Sequence, residues 1–173
     1  MTTAADFLQP HFQARQEDAP TYNVHSATIT ENDIIARALA ILQGRMLNGD
    51  KLNSPSAVRD FLTVKLSGLE REVFGVVYLN AQNVVIEYEE LFRGTLTQTS
   101  VYPREVAKGC LLKNAAAVIL VHNHPSGTVE PSRADEMLTT TLKNTLSMID
   151  VRVLDHIIIG QGCSLSMAER GLV

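Results

Sequence analysis

The feature that most limits what this chain can become is an apolar run, residues 116–121, that ends abruptly at His122-Asn123-His124-Pro125-Ser126-Gly127. So short a run is below the length of an ordinary globular helix and lacks the alternation of a strand with one wet face, so it predicts a strand covered on both sides. Such a strand needs helices above and below its sheet. Pro125 and Gly127 then take the chain out of the sheet, which leaves the polar residues at the strand's carboxyl end, the usual place for sites in α/β sheets.

The rest of the chain supplies those layers. Thr30, with Glu31 and Asp33 after it, predicts a helix through Ile34, Ile35, Ala38, Leu39, Ile41 and Leu42 to about Leu47. Ser54-Pro55 opens a second helix with Val58, Phe61, Leu62 and Leu66 on its buried side. Residues 73–79 and 84–90 are rich in Val, Ile, Phe and Tyr and flank a turn-like Asn80-Ala81-Gln82-Asn83, which predicts a β-hairpin, and a third strand is expected over 94–99. A helix from Pro103 to Lys113-Asn114 precedes the apolar strand. Another, capped by Ser132 after Pro131, runs through Met137, Leu138, Leu142 and Leu146, and strands are expected over 151–159 and around 164–166. Interleaved in this way, the elements predict an α/β fold with a mixed β-sheet flanked by helices. Residues 1–28 carry Pro10, Pro20 and mixed charges without apolar periodicity and read as a flexible N-terminal arm. Residues 29–68 read as an N-terminal helical segment, and 69–173 as the domain that holds the chemistry.

Composition narrows the partners. A chain of 173 residues that is 45% hydrophobic and 20% charged has the makeup of a globular protein, and its net charge of −4 argues against a broad nucleic-acid footprint, leaving DNA only a local basic patch. Cys110 and Cys163 form no CxxC pair or framework, so they read as buried thiols in a reducing, cytoplasmic setting. The N-terminal residues lack the basic start and apolar stretch of a secretory signal, and the longest apolar run falls far short of the roughly 20 residues of a membrane span.

Chemistry concentrates in two short segments. His122 and His124 stand two apart on extended chain, so both imidazoles point to one side and can reach one ion. Asp135, three residues into the helix that Ser132 caps, sits where the free N–H groups favour a carboxylate. Each residue alone has a plainer explanation: Asp135 as a capping-box carboxylate, either histidine as a satisfied polar group. Together they supply two nitrogens and one oxygen, the donor set of a catalytic zinc whose fourth position is left to water. There is no HExxH, no cysteine pair of the deaminase type, no phosphate-binding glycine loop and no GxSxG.

His122-x-His124 followed, after seven intervening residues, by Ser132-x-x-Asp135 resembles the JAMM (MPN-type) metalloprotease motif, and His122-Asn123-His124-Pro125-Ser126-Gly127 resembles the signature of the RadC family within that group. Glu72-Val73-Phe74-Gly75, the stretch 97–104 and Leu154-Asp155-His156-Ile157-Ile158 are RadC-like as well, so the resemblance covers about residues 55–173. It implies a JAMM/MPN-like α/β fold, with layering like that of cytidine deaminases, and one Zn2+ held by His122, His124 and Asp135. It also implies a glutamate that handles the proton of a zinc-activated water; Glu72 matches it, with Glu70 as the fallback. Ser132 matches the motif serine, whose hydroxyl would help stabilise an oxyanion, although it serves equally as a helix cap. The implied activity is that of a metallopeptidase or isopeptidase acting on a peptide or protein. The other readings are a non-catalytic or DNA-associated accessory module of RadC type and, more weakly, a metal-dependent nuclease. His156, on an apolar strand, reads as a satisfied core histidine and not as a ligand. Longer RadC proteins carry an N-terminal helix-hairpin-helix segment that this chain is too short to contain.

Overall fold

The computed structural model describes residues 29–47, 55–94 and 100–173. In chain order the elements are α1 (Glu31–Leu47), α2 (Pro55–Leu66), β1 (Val73–Leu79), β2 (Val85–Arg93), α3 (Pro103–Leu112), β3 (Ala117–Asn123), α4 (Arg133–Ser147), β4 (Arg152–Ile159) and β5 (Ser164–Ser166). The five strands form one sheet in the order β2-β1-β3-β4-β5. β3 and β4 run parallel, joined through α4, and the other pairs are antiparallel, so the sheet is mixed as expected.

The pleat sorts the side chains onto two cores. Val73, Val77, Leu79, Ala117, Val121, Ile157 and Ile159 face α1 and α2 and pack with Met46, Phe61, Leu62 and Leu66. Phe74, Val76, Tyr78, Val118 and Leu120 face α3 and α4 and pack with Val106, Cys110, Leu142 and Leu146. β3 therefore lies buried between two helical layers, which is why its sequence is apolar without a break. Thr30 caps α1 as predicted, its hydroxyl accepting from the Asp33 amide while the Asp33 carboxylate accepts from the Thr30 amide.

Two expectations need correction, and a third lies partly outside the described residues. β2 does not stop at Glu90 but continues to Arg93, because a bulge where Phe74 pairs with Phe92 and Gly75 with Glu90 absorbs an extra residue and keeps the ladder going. Of the strand expected over 94–99, Gly94 is not strand and donates its amide to the Glu72 carbonyl, and residues 95–99 lie outside the described part. Cys110 is buried as expected, whereas Cys163 is exposed, since it sits in the tight turn that joins β4 to β5. The arm assigned to 1–28 falls outside the described residues. Among the described residues no helix is long and apolar enough to cross a membrane.

What brings this frame to bear on the polar segment is the packing of the loop after β3 onto the end of β4. The His124 amide donates to the Ile159 carbonyl at 2.8 Å. Gly160, next along, is buried beneath the Gly127 carbonyl, and a Cβ there would overlap that oxygen and come within 2.8 Å of Val129 Cγ1. A side chain at position 160 must lift the loop. We expect Gly160→Ala to cost about 1–3 kcal/mol, read as the shift of a denaturant-unfolding midpoint at unchanged slope. A variant as stable as the parent would contradict this packing.

Candidate metal centre

His122 is the second-to-last residue of β3 and His124 follows its end, so the pleat sends both rings to the α4 side and Asn123 between them to the α2 side. Ser132 caps α4: its hydroxyl accepts from the Asp135 amide, and its own amide donates to Asp135 Oδ2 at 2.7 Å. This capping box turns the carboxylate back over the helix start, toward the two imidazoles. His122 Nε2 lies 2.9 Å from His124 Nε2 and 3.3 Å from Asp135 Oδ1, and His124 Nε2 is 3.7 Å from Asp135 Oδ2. Donors about 2.0–2.1 Å from a tetrahedral zinc lie about 3.3 Å from one another. The three side chains therefore already hold the spacing of three corners around one small ion.

The hydrogen bonds behind the rings say which nitrogens are bare. His124 Nδ1 lies 2.7 Å from the Thr128 carbonyl, which can only accept, so Nδ1 carries the proton and neutral His124 offers a lone pair at Nε2. His122 Nδ1 is taken up by His156 Nε2 at 2.8 Å. Two ring nitrogens and a carboxylate oxygen thus converge on one point, an arrangement that repels itself unless a cation, metal ion or proton, occupies it. Burial pushes the His122 pKa down to about 4, against the pull of Asp135. His124 is shifted the other way, chiefly by the Asp135 carboxylate beside its ring. Burial alone would raise the Asp135 carboxyl, but His124, His122 and the Ser132 hydroxyl and amide hold it well below the usual carboxylate range. His122, His124 and Asp135 are the group among the described residues able to hold a metal ion. The His122 side chain is only 2% exposed while those of His124 and Asp135 are 19% and 14% exposed, so the centre opens to solvent on one side.

Glu72 directly precedes β1 and is half-buried. Phe74 pairs with His122, and continuing that antiparallel register sets Glu72 opposite His124. Its charge acts on the His124 ring, whereas Glu70 lies on the exposed turn before it and makes no such contribution. The Ser132 hydroxyl, besides capping, donates to Asp135 Oδ2 at 2.6 Å.

Sequence reasoning missed the parts that three residues play around the site, although His156 is the satisfied core histidine that was expected and not a ligand. His156, with no exposed surface, meets His122 Nδ1 with its Nε2, and its Nδ1 meets Thr139 Oγ1 at 2.6 Å. Thr139 is four residues beyond Asp135 on α4, a spacing that sets both on one helix face and could have been noticed. Asn123 is 2% exposed; its Oδ1 accepts from the Val73 amide at 2.8 Å, and its Nδ2 donates to the carbonyls of Arg71 at 3.0 Å and Leu69 at 3.4 Å. One carboxamide thereby clamps the segment carrying Glu72 to the strand carrying the histidines. The period of two places Asn123 on the opposite face, but nothing in its neighbours announces what it would meet there. Leaving a buried backbone group unpartnered costs about 1–3 kcal/mol, so Asn123→Ala should lose at least about 2 kcal/mol of unfolding free energy. A loss below about 0.5 kcal/mol would mean that water satisfies these groups.

The comparisons with known proteins identify the family. The RadC-like JAB domain family matches residues 52–172. A UPF0758 protein of Leptothrix cholodnii is 63% identical over 121 residues, 70% of this chain and 54% of that protein. Another, of Nitrosospira multiformis, is 55% identical over 140 residues, 81% of this chain and 62% of that protein, and one of Dechloromonas aromatica is 59% identical over 133 residues, 76% and 59% respectively. The chain therefore spans somewhat more than half the length of these relatives. With the family matched across most of its length and the His-x-His and Asp of the motif gathered at one point, this chain belongs to the RadC-like JAB domain family.

Proposed function

We propose that this domain is a zinc-dependent hydrolase, a metallopeptidase or isopeptidase that cleaves a peptide or protein substrate. The observation that carries the reading is the convergence of His122 Nε2, His124 Nε2 and Asp135 Oδ1 with one side left open to solvent. A closed, four-ligand set would point to a structural ion; three ligands and an open side suit a catalytic one. Bound there, zinc would supply a Lewis acid that lowers the pKa of a coordinated water to about 7 and polarises a carbonyl.

The chain's own residues would do the rest. Glu72, facing His124 across the β1–β3 register, would take the water's proton and return it to the leaving amine, so that one carboxylate serves as base and then as acid. Asn123 keeps that carboxylate's segment in place from beneath. Ser132 holds the Asp135 carboxylate in its ligand orientation through its one hydroxyl proton, and would serve the oxyanion only on releasing that bond. The free thiols Cys110 and Cys163 support a reducing, cytoplasmic setting.

Metal analysis by mass spectrometry, on protein purified without a metal-affinity tag, should find about one zinc per chain, lost from a His122→Ala/His124→Ala double variant. Glu72→Gln should keep its zinc and lose roughly 10²–10⁴ of the peptidase rate found in a peptide and isopeptide screen. Absence of zinc after the metal is supplied would sink the hydrolase reading. A loaded protein inert across the screen would favour the accessory-module reading instead.

A further inference from the structure

Beneath the ligands lies a closed chain of polar groups in otherwise apolar surroundings. His122 Nδ1 lies 2.8 Å from His156 Nε2, His156 Nδ1 lies 2.6 Å from Thr139 Oγ1, and the Thr139 hydroxyl donates to the Asp135 carbonyl at 2.7 Å. The chain begins on the ligand from β3 and ends on the backbone of the ligand from α4, passing through β4 between them. Every polar atom in it is used within the protein: His156 has no exposed surface and Thr139 1%. The edge of Phe74 closes one side of the His156 ring, at 5.8 Å between centroids, and Met167 Sδ stands 3.8 Å from the Thr139 hydroxyl.

We infer that His156 and Thr139 are positioning residues for the metal ligands, fixing His122 in the tautomer whose lone pair faces the centre and tying its ring to the first turn of α4. The direction of the chain follows from its last link. A carbonyl only accepts, so the single Thr139 proton points at Asp135, and the hydroxyl oxygen is left to accept from His156 Nδ1–H. His156 Nε2 is then bare and accepts from His122 Nδ1–H, and His122 must present Nε2 without a proton. Reversal of the chain would break the Thr139 link to Asp135 and put a proton where a metal would bind. Any buried histidine needs a partner for each ring nitrogen, but one present only for packing need not find them in a series that joins two ligands, whereas a partner behind a ligating imidazole fixes its tautomer and typically tunes metal affinity by about 10–100-fold. This inference rests on the metal-site reading above, and deepens it by naming what sets the affinity of that site.

The test pairs Thr139→Val, which removes the hydroxyl at nearly constant volume, with Thr139→Ser, which restores it, and His156→Phe with His156→Gln, whose amide oxygen can again accept from His122. Zinc affinity is measured by chelator competition on protein whose fold is verified by circular dichroism. Ring ¹⁵N shifts of His122 are read in the metal-free protein. Thr139→Val and His156→Phe should bind zinc about 10–100-fold more weakly while Thr139→Ser and His156→Gln stay close to the parent, and the metal-free parent should carry the His122 proton on Nδ1. Should His156→Phe fail to fold, the Thr139 pair decides alone. A folded Thr139→Val with parental zinc affinity, or a His122 proton on Nε2 in the parent, would overturn the inference. A parent that binds no zinc at all would instead sink the metal reading, and the ring shifts would still decide the direction of the chain.

Discussion

Everything at the site follows from the placement of an imidazole, His122, at the buried end of a strand covered on both faces. A polar ring there is costly unless each of its nitrogens has a partner. One is satisfied from behind by His156, and the other meets only His124 Nε2 and Asp135, groups with which it shares the need for a cation. The sheet has not concealed His122 in its core by accident. Its neighbours complete a set of donors whose mutual repulsion a bound ion would relieve.

The pleat divides the work among three consecutive residues. His122 and His124 point to the α4 side, where Asp135 arrives on a helix start that its capping box keeps fixed. Asn123 points to the α2 side and binds the chain just before β1. A single strand end thus organises the ligands on one face and, through the other, the segment that bears Glu72. Gly160 completes the arrangement by leaving room for the Gly127 carbonyl, so that the loop can return across β4 to α4. The partly exposed side of His124 and Asp135 is what remains open to solvent.

Much of this was legible before any coordinates. The unbroken apolar run announced β3 and its two helical covers, and the turn, capping and breaker residues located the helices, because these signals act over a few residues and report directly on backbone geometry. His122, His124 and Asp135 were legible for the same reason: strand alternation and a helix cap are local rules, and their joint outcome is one point in space. The extension of β2 to Arg93 was not, since it depends on a bulge against β1. The exposure of Cys163 was not either, as it depends on how tightly β4 turns into β5. Asn123, Thr139 and His156 are the clearest case. Their roles arise from pairings 17 to 54 residues apart, and no periodicity in the sequence encodes which buried amide or ring a polar side chain will meet.

X-ray absorption at the zinc edge of the loaded protein would decide whether His122, His124 and Asp135 hold one ion in an open tetrahedral site. The expected spectrum shows nearest neighbours of nitrogen and oxygen only, at about 2.0–2.1 Å, with the longer-range pattern of two imidazoles and no sulfur. A sulfur scatterer at about 2.3 Å, which would draw Cys163 or a second chain into the shell, or a shell without imidazole, would contradict it.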